Sequence, residues 1–289
     1  MSAPPPLSDL DPAAARAMLE WLVEAGATEA IGEAPVDRYA LPDRPPSAAG
    51  PAVPAATAAP AAAPDAHSPR ARTPAPAAAA VPATGVEAVD EAERASAAAA
   101  DLPALRAAME AFGHCELKKG ARQVVFAAGH PEADLMIVGE APGAGEDRTG
   151  IPFVGASGQL LDRMLAAIGL DRASPEAGAG AYITNVLPWR PPGNRKPAAA
   201  EIAMLRPFLL RHIALVNPKA VLLMGNTPLE ALTGSGGITR RRGLWIDLPE
   251  AAGAMPALPT FHPAFLLRDP LRKREAWADL QAMRARLRA

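Results

Sequence analysis

Leu135-Met136-Ile137-Val138-Gly139-Glu140-Ala141-Pro142-Gly143 is the stretch that decides the fold. Four apolar residues end in a glycine and run into a Gly/Pro-rich loop that carries a carboxylate, and an amphipathic stretch from Ser157 to Leu170 follows. A short apolar run closed by glycine reads as a buried strand, and the helical period after it makes a strand, loop, helix unit. The unit recurs outward. Tyr182-Ile183-Thr184-Asn185-Val186 precedes Pro191-Pro192-Gly193-Asn194 and a helix from Pro197 to Val216. Ala220-Val221-Leu222-Leu223-Met224-Gly225 precedes a helix starting near Thr227, and Leu258-Pro259-Thr260-Phe261 leads through His262-Pro263 to a last helix, Leu271 to Leu287. Strands separated by helices predict an α/β fold: a four-stranded, mainly parallel central sheet with helices on both faces. Such sheets bind ligands at the carboxyl ends of their strands, and the polar residues of this chain fall there.

The 289-residue chain is uneven in composition. Up to residue 100 it is dominated by Ala and Pro, with 13 acidic against 6 basic residues and a formal charge of -7; from Asp101 onward 23 Lys and Arg face 18 Asp and Glu, giving +5. The total of -2 thus hides an acidic leader and a modestly basic remainder. A basic surface suits a polyanion, because Lys and Arg neutralise phosphates and release counterions. Ser8 through Ile31 reads as a short helical pair, with Asp11-Pro12 as cap and first-turn proline and Leu19, Leu22 and Val23 as an apolar stripe. From 41 to 85, large apolar side chains are too few to offset chain entropy. The expected organisation is a helical segment at 1–40, a disordered Ala/Pro-rich linker at 41–85 and a folded domain at 86–289.

A single cysteine, Cys115, excludes an internal disulfide and any four-cysteine metal site. The beginning Met1-Ser2-Ala3-Pro4-Pro5-Pro6 lacks the pattern of a secretory signal, and no run approaches the roughly 20 apolar residues that span a bilayer. The expectation is a cytoplasmic, nucleoid-associated protein with no membrane partner. The glycines of the first loop let backbone approach a ligand closely, but neither G-x-G-x-x-G nor G-K-[ST] is present, which argues against dinucleotide and P-loop readings. Glu140, Glu146 and Asp147 could be a solvated loop on composition alone; their position after a buried strand points to function.

Gly139 to Asp162, Tyr182 to Val186 with Arg190-Pro191-Pro192-Gly193-Asn194-Arg195, and His262-Pro263-Ala264-Phe265-Leu266-Leu267-Arg268 together resemble the family 4 (type 4/5-like) uracil-DNA glycosylases of bacteria and archaea. The similarity covers roughly residues 102 to 287, in the family's order and spacing. It implies a base excision repair hydrolase that flips uracil out of single- or double-stranded DNA and hydrolyses the N-glycosidic bond. On this resemblance Asn185 reads uracil N3–H and O4 through its carboxamide, and cytosine's reversed pattern is rejected because buried polar groups would go unpaired. Phe153 stacks on the base. Gly143 and Asn194 complete the uracil-binding set. His262 hydrogen-bonds uracil O2 as negative charge develops there. Glu140 is the nearer partner of the attacking water and Glu146 a wall by uracil C5 that excludes thymine's methyl. Leu266, Leu267 and Arg268 would wedge into the duplex and hold a phosphate, with Arg241 of the basic run Arg240 to Arg242 as a further phosphate contact. Plainer readings stand beside these: a strand-capping Asn185, a core Phe153, a loop His262, a hydrophobic staple at Leu266.

The chain also departs from the family. Most family 4 enzymes hold a four-iron, four-sulfur cluster on four cysteines; the matching positions here are Phe112, Cys115, Trp189 and Leu205, so no cluster and no other cofactor is expected. A related group traps uracil-DNA through a histidine in a basic insertion, whereas Asn194-Arg195-Lys196-Pro197 runs straight into a helix without one, so turnover by water is expected. The rivals are a catalytically weak uracil-DNA binding module and a glycosylase for another deaminated base such as hypoxanthine. A monomer is expected, with residues 8–31 as a candidate docking segment for a repair or replication protein.

Overall fold

Each of the four apolar runs is a strand, buried along its length because helices cover both faces of the sheet. A computed structural model gives the fold. It describes residues 83–288, with side chains from Val86 onward, so the segment at 8–31 and nearly all of the linker lie outside the described residues. Its elements are helices α1 (Ala83–Ala98), α2 (Leu102–Ala111) and α3 (Leu117–Gly120), strands β1 (Ala128–Gly129) and β2 (Leu135–Gly139), helices α4 (Ala144–Thr149) and α5 (Ala156–Ala167), then β3 (Tyr182–Asn185). There follow α6 (Ala199–Val216), β4 (Ala220–Met224), α7 (Asn226–Thr233), α8 (Ile238–Arg241), β5 (Ile246–Asp247), β6 (Pro256–Thr260), α9 (Pro263–Arg268) and α10 (Lys273–Arg288). Helix α1 begins inside the stretch expected to be linker.

The sheet is mixed and six-stranded, in the order β1-β3-β2-β4-β6-β5. Its four central strands are parallel and are the four runs read from sequence. The edges β1 and β5 are antiparallel and two residues long, so the expected four-stranded sheet is widened by one short strand at each side. Two-residue edges offer little open ladder to other chains.

Side chains alternate across the sheet, as the pleat requires. On β2, Met136 and Val138 enter one core with Ala92 of α1, Leu105 of α2 and Phe208 of α6. Leu135 and Ile137 enter the opposite core with Leu161 and Leu165 of α5 and Leu280 of α10. Burial on both faces explains why these strands read as unbroken apolar runs. Each large apolar side chain so buried contributes roughly 1.5–3 kcal/mol. One buried polar pair interrupts the first core: Tyr182 Oη lies 2.8 Å from His212 Nε2, and the imidazole stacks on Phe126 with centroids 4.5 Å apart. Burial lowers the His212 pKa to about 3 and raises that of Tyr182, so both groups are neutral.

The parallel register aligns the strand ends. Gly139 pairs with Asn185 and Met224 with Thr260, so the turns after β2, β3, β4 and β6 open on one edge of the sheet.

Candidate active site

A cavity of about 170 Å³ sits at that edge, lined by Ala141, Gly143, Glu146, Phe153, Ser157, Asn185 and His262. Asn185 ends β3 with 7 % exposure and no side-chain hydrogen-bond partner among the described residues, leaving its carboxamide free toward the cavity. A carboxamide whose polar atoms meet only the cavity is placed to bind a ligand. Phe153 and His262 both line the cavity and stack on each other, ring centroids 5.5 Å apart and planes 28° from parallel. Phe153 has φ of 56°, a left-handed conformation that a bulky residue holds only where its surroundings enforce it. Two glycines supply the room. A Cβ on Gly139 would stand 2.6 Å from Phe153 Cε2 and against Asn185 Oδ1, and one on Gly158 would collide with the Phe153 carbonyl.

The loops around the cavity are clamped by Glu146. Its Oε2 accepts the Gly143 N–H at 3.0 Å, and its Oε1 accepts those of Val154 at 3.0 Å and Gly155 at 3.3 Å. One carboxylate thus caps α4 and ties the loop after β2 to the Phe153 turn. Beside it Asp147, 4 % exposed, accepts the Arg122 N–H at 2.8 Å. Glu146 is thus scaffold as well as lining, and Asp147 is scaffold.

His262 caps α9: its Nδ1 accepts the Ala264 N–H at 3.1 Å, which places the ring proton on Nε2. Burial, followed by the nearby Arg268 cation, pushes its pKa down to about 4, with Glu146 opposing weakly. The group is therefore a neutral imidazole that donates through Nε2. Beneath it, Arg242 grips both carboxylate oxygens of the buried Asp279, which also accepts the Thr260 hydroxyl at 2.7 Å. That ion pair anchors the end of β6, two residues before His262; neither partner was legible as functional, since they lie 37 positions apart.

Glu140 is close by but does not line the cavity; it is half-buried, and its Oε2 accepts the Thr227 hydroxyl at 2.5 Å. Ser157 in the wall and Thr227 beside Glu140 were not singled out from the sequence, although Thr227 shares the signature of the others, a polar residue just past an apolar run. Three expected site residues lie elsewhere. Asn194 is exposed on a turn, with φ of 53°, accepting from Arg190 Nε at 2.7 Å, away from the cavity. Leu266 is 1 % exposed in the core of α5 and α10, because the amphipathic turn of α9 points it inward; Leu267, 41 % exposed, is the surface residue of the pair, with Arg268 exposed beside it. Arg241 spends one guanidinium nitrogen on Thr233 Oγ1, Ser235 O and Ser235 Oγ at 2.7–3.0 Å, holding its own loop together. Arg240 is the exposed member of that run without a partner among the described residues.

The positions matching the family's cluster ligands, Phe112, Cys115, Trp189 and Leu205, all lie in one buried apolar core at 0–3 % exposure. Phe112 packs edge-on against Phe208, and the Lys118 ammonium sits 5.4 Å over Trp189 while donating to the Glu110 and Phe112 carbonyls. A four-iron, four-sulfur cluster takes four cysteine thiolates. One thiol among three apolar side chains does not fit it, and burial pushes that thiol's pKa up, away from the thiolate.

The carboxyl edge of this parallel α/β sheet thus holds a small cavity lined by an aromatic ring, a neutral imidazole and a carboxamide without a protein partner among the described residues. The chain belongs to the uracil DNA glycosylase superfamily, whose family model matches residues 126–281. It is 38% identical over 157 residues to the type-4 uracil-DNA glycosylase of Thermotoga maritima, an alignment covering 54% of this chain and 77% of that protein. The type-4 enzyme of Sulfurisphaera tokodaii is 38% identical over 166 residues, covering 55% and 73%, and that of Pyrobaculum aerophilum 36% identical over 187 residues, covering 62% and 91%. Among the described residues no helix is long and apolar enough to cross a membrane.

Proposed function

We propose that this chain is a DNA repair glycosylase that releases uracil from DNA and leaves an abasic site. The reading rests on one observation above all, the convergence of Asn185, Phe153 and His262 on a single cavity at the carboxyl edge of the sheet. The extruded base lies against the Phe153 ring; the Asn185 carboxamide accepts from N3–H and donates to O4. As the bond from C1′ to N1 breaks, its electron pair leaves on the base, and His262 Nε2–H donates to O2, where that charge accumulates. A neutral donor already carrying its proton on Nε2 does this without a change of protonation. The sugar left behind is oxocarbenium-like. Water adds to C1′, and Glu140 orients it and takes its proton.

Glu146 keeps the pocket's shape by its three backbone hydrogen bonds and stands beside uracil C5, where a methyl group would meet it. Leu267 fills the space left by the flipped nucleotide, and Arg268 and Arg240 hold phosphates. Packing of Phe112, Trp189 and Leu205 takes the place of an iron-sulfur cluster, so the purified monomer contains no stoichiometric iron and keeps its activity in chelator.

The test is incubation of the purified protein with a uracil-containing oligonucleotide, followed by alkaline cleavage of abasic sites. Strand scission at the uracil position is expected. An oligonucleotide left intact at excess protein overturns the reading, and tight binding without release would favour a binding module instead.

A further inference from the structure

We infer that Thr227 is a positioning residue that fixes the water-side carboxylate Glu140 relative to the base-side imidazole His262, an inference that rests on the functional reading above. Glu140 emerges from β2 with its backbone pinned, its carbonyl accepting the Leu187 N–H at 3.1 Å. Its side chain has a single protein hydrogen bond among the described residues, the Thr227 hydroxyl donating to Oε2 at 2.5 Å. Oε1 is left as the open acceptor.

Thr227 is well placed to fix that arrangement. It is 8 % exposed, lies in the first turn of α7, and is β-branched, so its hydroxyl has few alternative directions. A charge-assisted bond of this length from a rigid donor selects one carboxylate rotamer out of several.

The same turn also touches the other half of the machinery. Gly225, with φ of 98°, backs onto His262 so closely that a Cβ there would sit 3.2 Å from His262 Cβ, and its N–H donates to the Thr260 carbonyl at 2.9 Å. The three residues Gly225, Asn226 and Thr227 therefore contact both groups that must act on opposite sides of one breaking bond. Asn226 steadies the turn by accepting the Gly237 N–H at 2.8 Å. Orientation of a water against a sugar carbon is sensitive to small displacements, so a residue that sets this separation acts on the rate of the chemical step and leaves DNA binding alone.

Single-turnover uracil excision, affinity for uracil-containing DNA and thermal unfolding of Thr227→Val and Thr227→Ser separate this role from a structural one. Thr227→Val is expected to slow excision by about tenfold to a hundredfold with affinity unchanged, and Thr227→Ser to restore the rate. In a Glu140→Ala background, Thr227→Val is expected to have no further effect on the rate, because its action passes through that carboxylate. Full activity of Thr227→Val overturns the inference, as does an equal loss in Thr227→Ser or a loss that persists undiminished without Glu140. A wild-type chain that excises nothing overturns the functional reading and this inference with it.

Discussion

Gly139 and Phe153 are packed so closely that a methyl group on the glycine would lie 2.6 Å from the Phe153 ring. Gly139→Ala must therefore displace the ring or the Asn185 carboxamide beside it. Excision should fall by at least about tenfold, because misplaced pocket groups forfeit transition-state contacts. Thermal unfolding should show a loss of about 1–3 kcal/mol from overpacking. Affinity for uracil-free DNA, read by gel shift, should not change; undiminished excision would show that the ring is not held by that glycine.

His262 should titrate near pH 4, well below the usual imidazole range, because burial and the Arg268 cation disfavour its charged form. Its contribution to the pH–rate profile between pH 5 and 8 should be flat. His262→Ala should lower kcat by about a hundredfold to a thousandfold, the usual loss for a removed oxyanion donor. A proton NMR titration of the ring checks the first statement and single-turnover kinetics the second.

Leu266 and Leu267 are neighbours with opposite surroundings, so their alanine variants should separate stability from DNA insertion. Leu266→Ala should cost about 2–5 kcal/mol in urea unfolding, as a core truncation does. Leu267→Ala should leave stability within about 0.5 kcal/mol. It should slow excision from duplex DNA more than from single strands, which have no stack to fill.

His212 gives the fold an acid limit. Its pKa is about 3 in the folded protein against 6.5 unfolded, so its stabilisation is complete above pH 6.5 and is lost as pH falls from there toward 3. Over the interval from pH 6.5 to 5 the loss from this one group is about 2 kcal/mol, and His262 adds to it. His212→Gln, which keeps a partner for Tyr182 Oη without the titrating proton, should flatten that slope in urea unfolding at the two pH values.

Much of this was legible in the sequence where the signal was local. The four parallel strands are continuous apolar runs because both faces are covered, and the polar residues just past them mark the pocket. The edge strands were not legible: Ala128-Gly129 and Ile246-Asp247 are too short to show a period. Nor were side-chain directions. Asn194 and Arg241 sit in suggestive motifs, yet their hydrogen bonds turn them to local partners, and Leu266 differs from Leu267 only in which way one helical turn faces. Pairings across long separations, such as Arg242 with Asp279 and Tyr182 with His212, leave no trace until the chain has folded.

The Glu146 carboxylate has its acceptors engaged by Gly143, Val154 and Gly155 before any nucleic acid arrives. The receptacle is thus shaped in advance, and the rearrangement on encounter is expected to fall on the duplex. Selectivity among sequence contexts should then track how readily a given pair comes apart: a wobble opposite guanine, which opens more easily than a Watson–Crick partner opposite adenine, should surrender its base sooner.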